Sequence, residues 1–435
     1  MPKIVFIGAG SLVFSQRLMI DILSFPALQE TTFGLVDIDE KRLGYAKRVA
    51  ERVIRETGTS ASVIATTNRR EVLKDADYVV LMILVGGIEM IRADIHIPLE
   101  YGVDQCIGDT LGPGGVFRAL RTIPVINDIC RDIDDLCPNA WVLNYTNPMA
   151  MLCWAAWEET RVKMVGLCHS VQGTAEQLAE MIGADMKEVS YWVAGINHQA
   201  WFLKYEWNGK DAYPLIHEKV REPENWEKET TRCEMCKHLG YFVTESSGHN
   251  SEYNPWFRKR PDLLKKYTPG GSWNGGTGFI LQLYDTDRQN YEEELERIAS
   301  GEKPLDLKRS HEYGSHIIHS LFEGTPIRIN GNVKNTGLIT NLPEGCCVEV
   351  PCLVDRQGIT PCFVGDLPPH LAALNHSNVA VQKMTVQASL TGDRKMAFHA
   401  IAADPLTAAV LSLEEIQTMV DKMFEVEIGW LPQFR

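Results

Sequence analysis

The 435-residue chain is 45% hydrophobic and 23% charged, with a net charge of −14, and shows no biased segment, internal repeat or bilayer-length apolar run. That length predicts two or more domains. The acidic balance, with basic clusters only as short as RKR at 258–260, excludes nucleic acid and anionic membrane as partners. Residues 1–10 enter a strand pattern without signal-peptide layout, and eleven cysteines, an odd number, fit reduced thiols better than a disulfide framework. A cytoplasmic globular protein is expected.

In chain order, KIVFI (3–7) reads as a buried strand and 11–23 as a helix with Ser11 at its N-cap. FGLVD (33–37) is a second strand, and Asp39 starts a helix reaching about residue 57. SVIAT, DYVVLMIL, AWVLNY and KMVGL are four further runs, near-continuously apolar, as strands buried on both faces must be. The first 185 residues therefore predict a Rossmann-type parallel sheet domain of the α/β class. Beyond 185, VSYWVAGINHQAWFLKYEWNG holds two strand-like runs broken near Gly195–Asn197 and ends in a turn at Asn208-Gly209. Residues 210–310, rich in charge, Trp, Gly and Pro, read as loops over a site. Strands at 326–333 and 347–354 and helices at 371–390 and 412–424 complete an α+β domain, 186–435, for substrate binding and oligomerisation.

Gly8, Gly10 and Ser11 follow the first strand. Two glycines permit a tight turn and close approach of a pyrophosphate, and the helix start offers free N–H groups. Val13 stands where the usual third glycine would be. Asp37, ending the second strand, suits the adenosine ribose hydroxyls, which favours NAD over its 2′-phosphorylated form. The alternative is an ordinary strand-to-helix turn with a surface carboxylate.

Cys168 ends the KMVGL strand at the edge where parallel sheets place ligands, and His198 follows thirty residues later. A thiolate and an imidazole can hold a divalent ion with open positions, although a core thiol and a satisfied core histidine fit the spacing equally. Asn147, before Pro148, either presents its amide to sugar hydroxyls or closes an Asx-type turn. Cys233 and Cys236 form a CxxC without a second pair and read as structural. The loop GDTLGPGG (108–115) lacks the Lys-Ser/Thr of a Walker loop and reads as packing against nicotinamide or substrate.

Taken together, FIGAGS, VDIDEKRL, DTLGPGGVFRALRTIP, NYTNPMA, GLCHSVQGTAE, AGINHQAW, GYFVTESS, NLPEGCCVEVPCLVD, HLAALN and GWLP resemble glycoside hydrolase family 4, the NAD- and metal-dependent glycosidases, over essentially the whole chain. They look closest to its melibiase-type α-galactosidase branch. The resemblance implies that Cys168 and His198 bind a divalent metal, usually Mn2+, that Asn147 contacts the sugar, and that the chain forms a dimer or tetramer. It implies hydrolysis by transient oxidation at C3, loss of the C2 proton, departure of the glycosidic oxygen, addition of water and re-reduction. His169 is the expected leaving-group acid, where some relatives carry an aspartate. Tyr253 is the expected C2 base and His249 the second choice.

Two stretches depart from that branch: Gly248 replaces a glutamate, and 268–280 replaces a more charged segment. ADIHIP and IGDT resemble the galacturonidase branch, whose uronic acid would need a cation such as Arg92, Arg118, Arg258 or Lys259. An α-galactoside-like substrate is expected, with an α-galacturonide, α-glucuronide or α-glucoside as alternatives. Outside the family, the competing readings are a plain NAD-dependent dehydrogenase and a catalytically silent sugar and NAD sensor.

Overall fold

Six short runs apolar on both faces can be buried only in a sheet with helices on each side. In the computed structural model, residues 1–270, 272–289 and 291–434 are described, with the side chains of all of these but 12, 13, 272, 287–289 and 291. The six runs form β1 (Lys3–Ile7), β2 (Thr32–Val36), β3 (Ser62–Thr66), β4 (Tyr78–Leu81), β5 (Trp141–Asn144) and β6 (Lys163–Gly166). They pair in parallel in the order β3-β2-β1-β4-β5-β6. That order reverses direction between β1 and β4, and open α/β sheets bind ligands in the crevice so formed. DYVVLMIL is thus strand only to Leu81, because Met82–Val85 leave the sheet to make the crevice wall.

The covering helices are α1 (Leu12–Leu23), α2 (Glu40–Thr57), α3 (Arg69–Leu73), α4 (Gly87–Glu100), α5 (Gly112–Leu136), α6 (Met149–Glu159) and α7 (Ser170–Ile182). Asp39 caps α2, accepting from the N–H groups of Lys41 and Arg42, and Gly58 closes it in a left-handed conformation. Ser11 occupies the N-cap position of α1 but makes no side-chain capping bond there.

The second half adds antiparallel strands to the same sheet rather than building its own: β7 (Val189–Ile196), β8 (Gln199–Trp207), β9 (Lys210–Asp211), β10 (Ile327–Lys334), β11 (Cys347–Asp355) and β12 (Gly358–Pro361). The join between halves is Gly166 on β6 opposite Asn332 on β10. A side chain at 166 would press on Met149 and Asn332, with its Cβ 2.4 Å from the Met149 sulfur, so only glycine lets β10 approach. One hydrophobic cluster then runs from Val5 and Val80 to Val348, Val350 and Phe424.

Residues 210–310 are not mainly loop. They hold short helices, among them Tyr213–Lys219, Thr230–Leu239, Pro261–Tyr267 and Tyr291–Ser300, several opening with proline in the first turn. Cys233 and Cys236 are buried on one of these; Cys236 faces His217, with sulfur and Nδ1 3.9 Å apart. All eleven cysteines are unpaired. Among the described residues no helix is long and apolar enough to cross a membrane.

Deep under the crevice, Arg121 of α5 pairs with Asp94 of α4 and with Glu427, the last residue of the C-terminal helix Leu413–Glu427, at 2.5 and 2.9 Å. Burial and the adjacent Asp94 push Glu427 well above the usual carboxylate range, so it shares a proton with its neighbour and one guanidinium suffices for two acids. Removing the cation would strand both carboxylates. Arg121→Met should therefore lower unfolding stability by about 3–5 kcal/mol in a denaturant titration.

Candidate active site

The glycine turn after β1 forms as the dinucleotide reading requires. Gly8 has φ +90° and lies against the Met82 carbonyl, where a Cβ would sit 2.4 Å from the oxygen. The Gly10 N–H donates to Asp37 Oδ2 at 2.7 Å, and the Asp39 N–H to Oδ1 at 3.0 Å. Asp37 is half-buried with lone pairs still directed outward, beside the almost fully exposed Ile38. Gly8, Gly10, Ser11 and Asp37 thus make one cradle. A side chain at Gly8 would strike the Met82 carbonyl and one at Gly10 the Asp37 carboxylate, so only glycines let the turn close this tightly around a pyrophosphate site.

Cys168 and His198, thirty residues apart, meet. His198 is not within a strand: Asn197 and His198 are the two-residue tip of the β7–β8 hairpin, with His198 at φ +65°. A non-glycine residue there is strained, and the surroundings hold it. The Asn250 side chain donates to the His198 carbonyl at 3.1 Å, and Asn375 braces the hairpin base through the Gln199 carbonyl at 2.8 Å. Glu245, also left-handed at φ +70°, completes a set in which Cys168 Sγ, an imidazole nitrogen and a carboxylate oxygen lie within 4.8 Å of one another.

The protonation of His198 follows from its neighbours. Burial opposes ionisation of Asp109, but His249 and Arg118 hold its carboxyl far below the usual range, so it only accepts. The Thr110 hydroxyl donates its single proton to Asp109 Oδ1 at 2.7 Å and so must accept from His198 Nδ1 at 2.9 Å. The Nε2 lone pair is left facing Glu245, 3.5 Å away. Burial also holds His198 below its ordinary pKa, keeping it neutral. Neutral imidazole, thiol and carboxylate match a divalent transition ion in charge and softness. Burial pushes the Cys168 thiol up, with Glu245 and Glu349 adding to the effect, so its thiolate calls for a nearby cation.

His249 lies between Asp109 at 3.1 Å and Glu245 at 3.5 Å. Burial works against its charge, yet these carboxylates raise it to about 10. A ring held protonated donates and does not accept, so His249 is removed as a base at neutral pH. The Tyr253 hydroxyl is buried 3.2 Å from His198 Nδ1. Asn147, whose peptide to Pro148 is cis, donates to Asp109 Oδ2 at 3.0 Å and leaves its enclosed Oδ1 unpaired. His169 is more exposed; its Nε2 meets Glu312, which raises its pKa, and Glu312 also accepts from Tyr145 at 2.6 Å.

Sequence reasoning missed Glu245, Asp109, Thr110, Glu312 and Glu349. Glu349 is fully buried with neither oxygen hydrogen-bonded, and burial with the Glu245 charge pushes it to about 8. Asp109 and Glu245 stand inside the GDT and TESS motifs, but nothing local marks Asp109 as the partner of His249, 140 positions on, or Glu245 as that of Cys168 and His198. The two departures from the branch prove to be one feature. Gly248 and Gly275 touch, a Cβ on Gly248 falling 2.4 Å from the Gly275 Cα, so a glutamate at 248 cannot coexist with this 272–278 loop. Gly271, within the 268–280 segment, lies outside the described residues.

Family models describe the chain in two parts, "Family 4 glycosyl hydrolase" at residues 3–184 and "Family 4 glycosyl hydrolase C-terminal domain" at 193–407. The chain belongs to glycosyl hydrolase family 4. It is similar to an α-galactosidase of Rhizobium meliloti, 43% identical over 99% of this chain and 89% of that one. It is also similar to an α-galactosidase of Bacillus subtilis, 41% identical over the full length of both. Its fold matches a 6-phospho-α-glucosidase from gut microorganisms, solved with NAD and Mn2+, at TM-score 0.82 and 20% identity over the full length of both chains.

Two substitutions separate ligand from support. Cys168→Ala should abolish tight Mn2+ binding measured by calorimetry. Thr110→Val, which frees the His198 tautomer without touching a donor atom, should weaken it about 10–100-fold.

Proposed function

We propose that the chain hydrolyses α-galactosides by the redox elimination and addition route, with NAD in the first half and a divalent ion, Mn2+ first, at Cys168 and His198. One observation carries the reading: a thiol, a tautomer-fixed imidazole and a carboxylate converge at the sheet edge that also holds the glycine cradle and Asp37. The choice of α-galactoside follows the two relatives at 41% and 43% identity. When bound, NAD+ supplies reversible oxidation at a sugar carbon and the ion a Lewis acid beside it.

The chain's own groups divide the remaining work. Asn147 Oδ1, enclosed and unpaired, accepts from a sugar hydroxyl. His169, kept protonated by Glu312, gives its proton to the departing glycosidic oxygen. Tyr253 takes the C2 proton from a position beside His198; burial and the charges of Asp109, Glu252 and Glu245 push its hydroxyl well above the ordinary pKa, so this role requires the cation at Cys168 and His198 to bring it down. His249, charged between Asp109 and Glu245, fixes both carboxylates and donates rather than accepts. Eleven unpaired thiols fit action in a reducing compartment such as the cytoplasm, and a homo-oligomer is the proposed assembly.

Hydrolysis of p-nitrophenyl α-galactoside, α-glucoside and α-galacturonide is the test, with NAD+, Mn2+ and thiol reductant each omitted in turn. The galactoside should be cleaved fastest, activity should vanish without NAD+ or metal, and product formed in D2O should carry deuterium at C2. Cofactor-independent cleavage, or product without deuterium, would defeat the mechanism. His169→Gln should slow melibiose cleavage about 10²–10⁴-fold while sparing the p-nitrophenyl substrate, whose leaving group needs no acid. Equal losses on both substrates would remove His169 from that role.

A further inference from the structure

Among the described residues five arginines are buried: Arg52, Arg118, Arg121, Arg232 and Arg258. Four are held by several acceptors each. Arg52 bonds Glu56 and two carbonyls, Arg121 has its two carboxylates, Arg232 has Glu229, Thr174 and Gln177, and Arg258 has Asp104, Ser251 and the Gly275 carbonyl. Arg118, 8% exposed, makes no hydrogen bond or ion pair among the described residues. A guanidinium carries five donors, and leaving them unmatched away from water is costly.

The surroundings offer no protein acceptor in waiting. Arg118 stands on α5 four residues after Gly114 and three before Arg121, on the face turned to α4 and the Met82–Val85 wall. Asp94 is engaged by Arg121, and Asp109 already receives Thr110, His249 and Asn147. Arg118 keeps 8% of its surface exposed, so it is not sealed from solvent. Arg118 is near enough to Asp109 to help hold its carboxyl ionised, and Asp109 also receives the Asn147 amide, so the guanidinium belongs to the Asp109 side of the site. The other cations considered for an anionic sugar are spoken for or peripheral: Arg92 pairs with Asp285 at 2.5 Å, Arg258 is locked, and Lys259 lies on a partly exposed turn.

We infer that Arg118 is a specificity-determining residue whose guanidinium donates to a glycone oxygen on the Asp109 side of the site, either a hydroxyl of a galactoside or the C6 carboxylate of a galacturonide. The inference rests on the glycosidase reading above and adds the residue that selects the sugar.

The test uses the NAD- and Mn2+-loaded enzyme with Arg118→Met and Arg118→Lys. Substrates are p-nitrophenyl α-galactoside, its 4-deoxy and 6-deoxy analogues, and the α-galacturonide. Arg118→Met should raise KM about 10–100-fold on the glycone that the wild type cleaves best, with kcat little changed, NAD+ affinity within twofold, and Arg118→Lys partly restored. The deoxy analogue lacking the contacted oxygen should be penalised in the wild type and not in Arg118→Met. A larger loss on the galacturonide than on the galactoside would assign the carboxylate as the partner. Unchanged KM on every glycone would overturn the inference, as would weakened NAD+ binding with every deoxy penalty intact. If the wild type itself cleaves no galactoside, the substrate reading fails there, and Arg118 is judged on the glycone it does cleave; cleavage of none defeats both.

Discussion

One hydroxyl proton organises the centre of this protein. Because Asp109 is ionised and can only accept, Thr110 must give it the proton and receive one from His198, and the imidazole has no choice but to turn an unprotonated Nε2 toward Glu245 and Cys168. Everything that makes the pocket a plausible metal centre depends on that direction of donation. Were Asp109 neutral, the hydroxyl could reverse and the lone pair would face Thr110 instead. His249 keeps Asp109 charged, and Arg118 reinforces it, so cations outside the donor set decide what a ligand candidate can do.

Charge and strain concentrate in the same few ångströms. His198 and Glu245, the two ligand candidates outside the parallel half, are both non-glycine residues in left-handed backbone, each tied down by neighbouring hydrogen bonds. Such conformations persist only where packing over-determines them. The buried Arg121 trio supplies part of that rigidity from below, joining α4, α5 and the chain's last long helix under the crevice. The hairpin that carries His198 is braced separately by Asn250 and Asn375. Two supports from distant parts of the chain thus converge on one imidazole.

The contact between Gly248 and the 272–278 loop shows how a substitution and a segment exchange can be one event. Gly248 and Gly275 are in backbone contact, and Arg258 holds the Gly275 carbonyl while also gripping Asp104. A larger residue at 248 would require a different course for 272–278.

Much of this was written locally. Period and apolarity placed β1 to β6 and the helices between them, because strands buried on both faces cannot hide that composition. The two glycines and Asp37 announced a nucleotide cradle, residue types offered Cys168, His198 and Asn147 beside structural alternatives, and Tyr253 came from the family resemblance. Residues 210–310 were misread as loop, since helices of seven to ten residues are too short to display a helical period and their prolines look like breakers. Only the tertiary structure decided that β7 to β12 extend the first sheet, that His198 is a strained hairpin tip, and that Glu245, Asp109, Glu312 and the unpaired Arg118 belong to the site. Those pairings join residues as far apart as Asp109 and His249, and contacts at that separation are set by packing, which leaves no periodic mark in the chain.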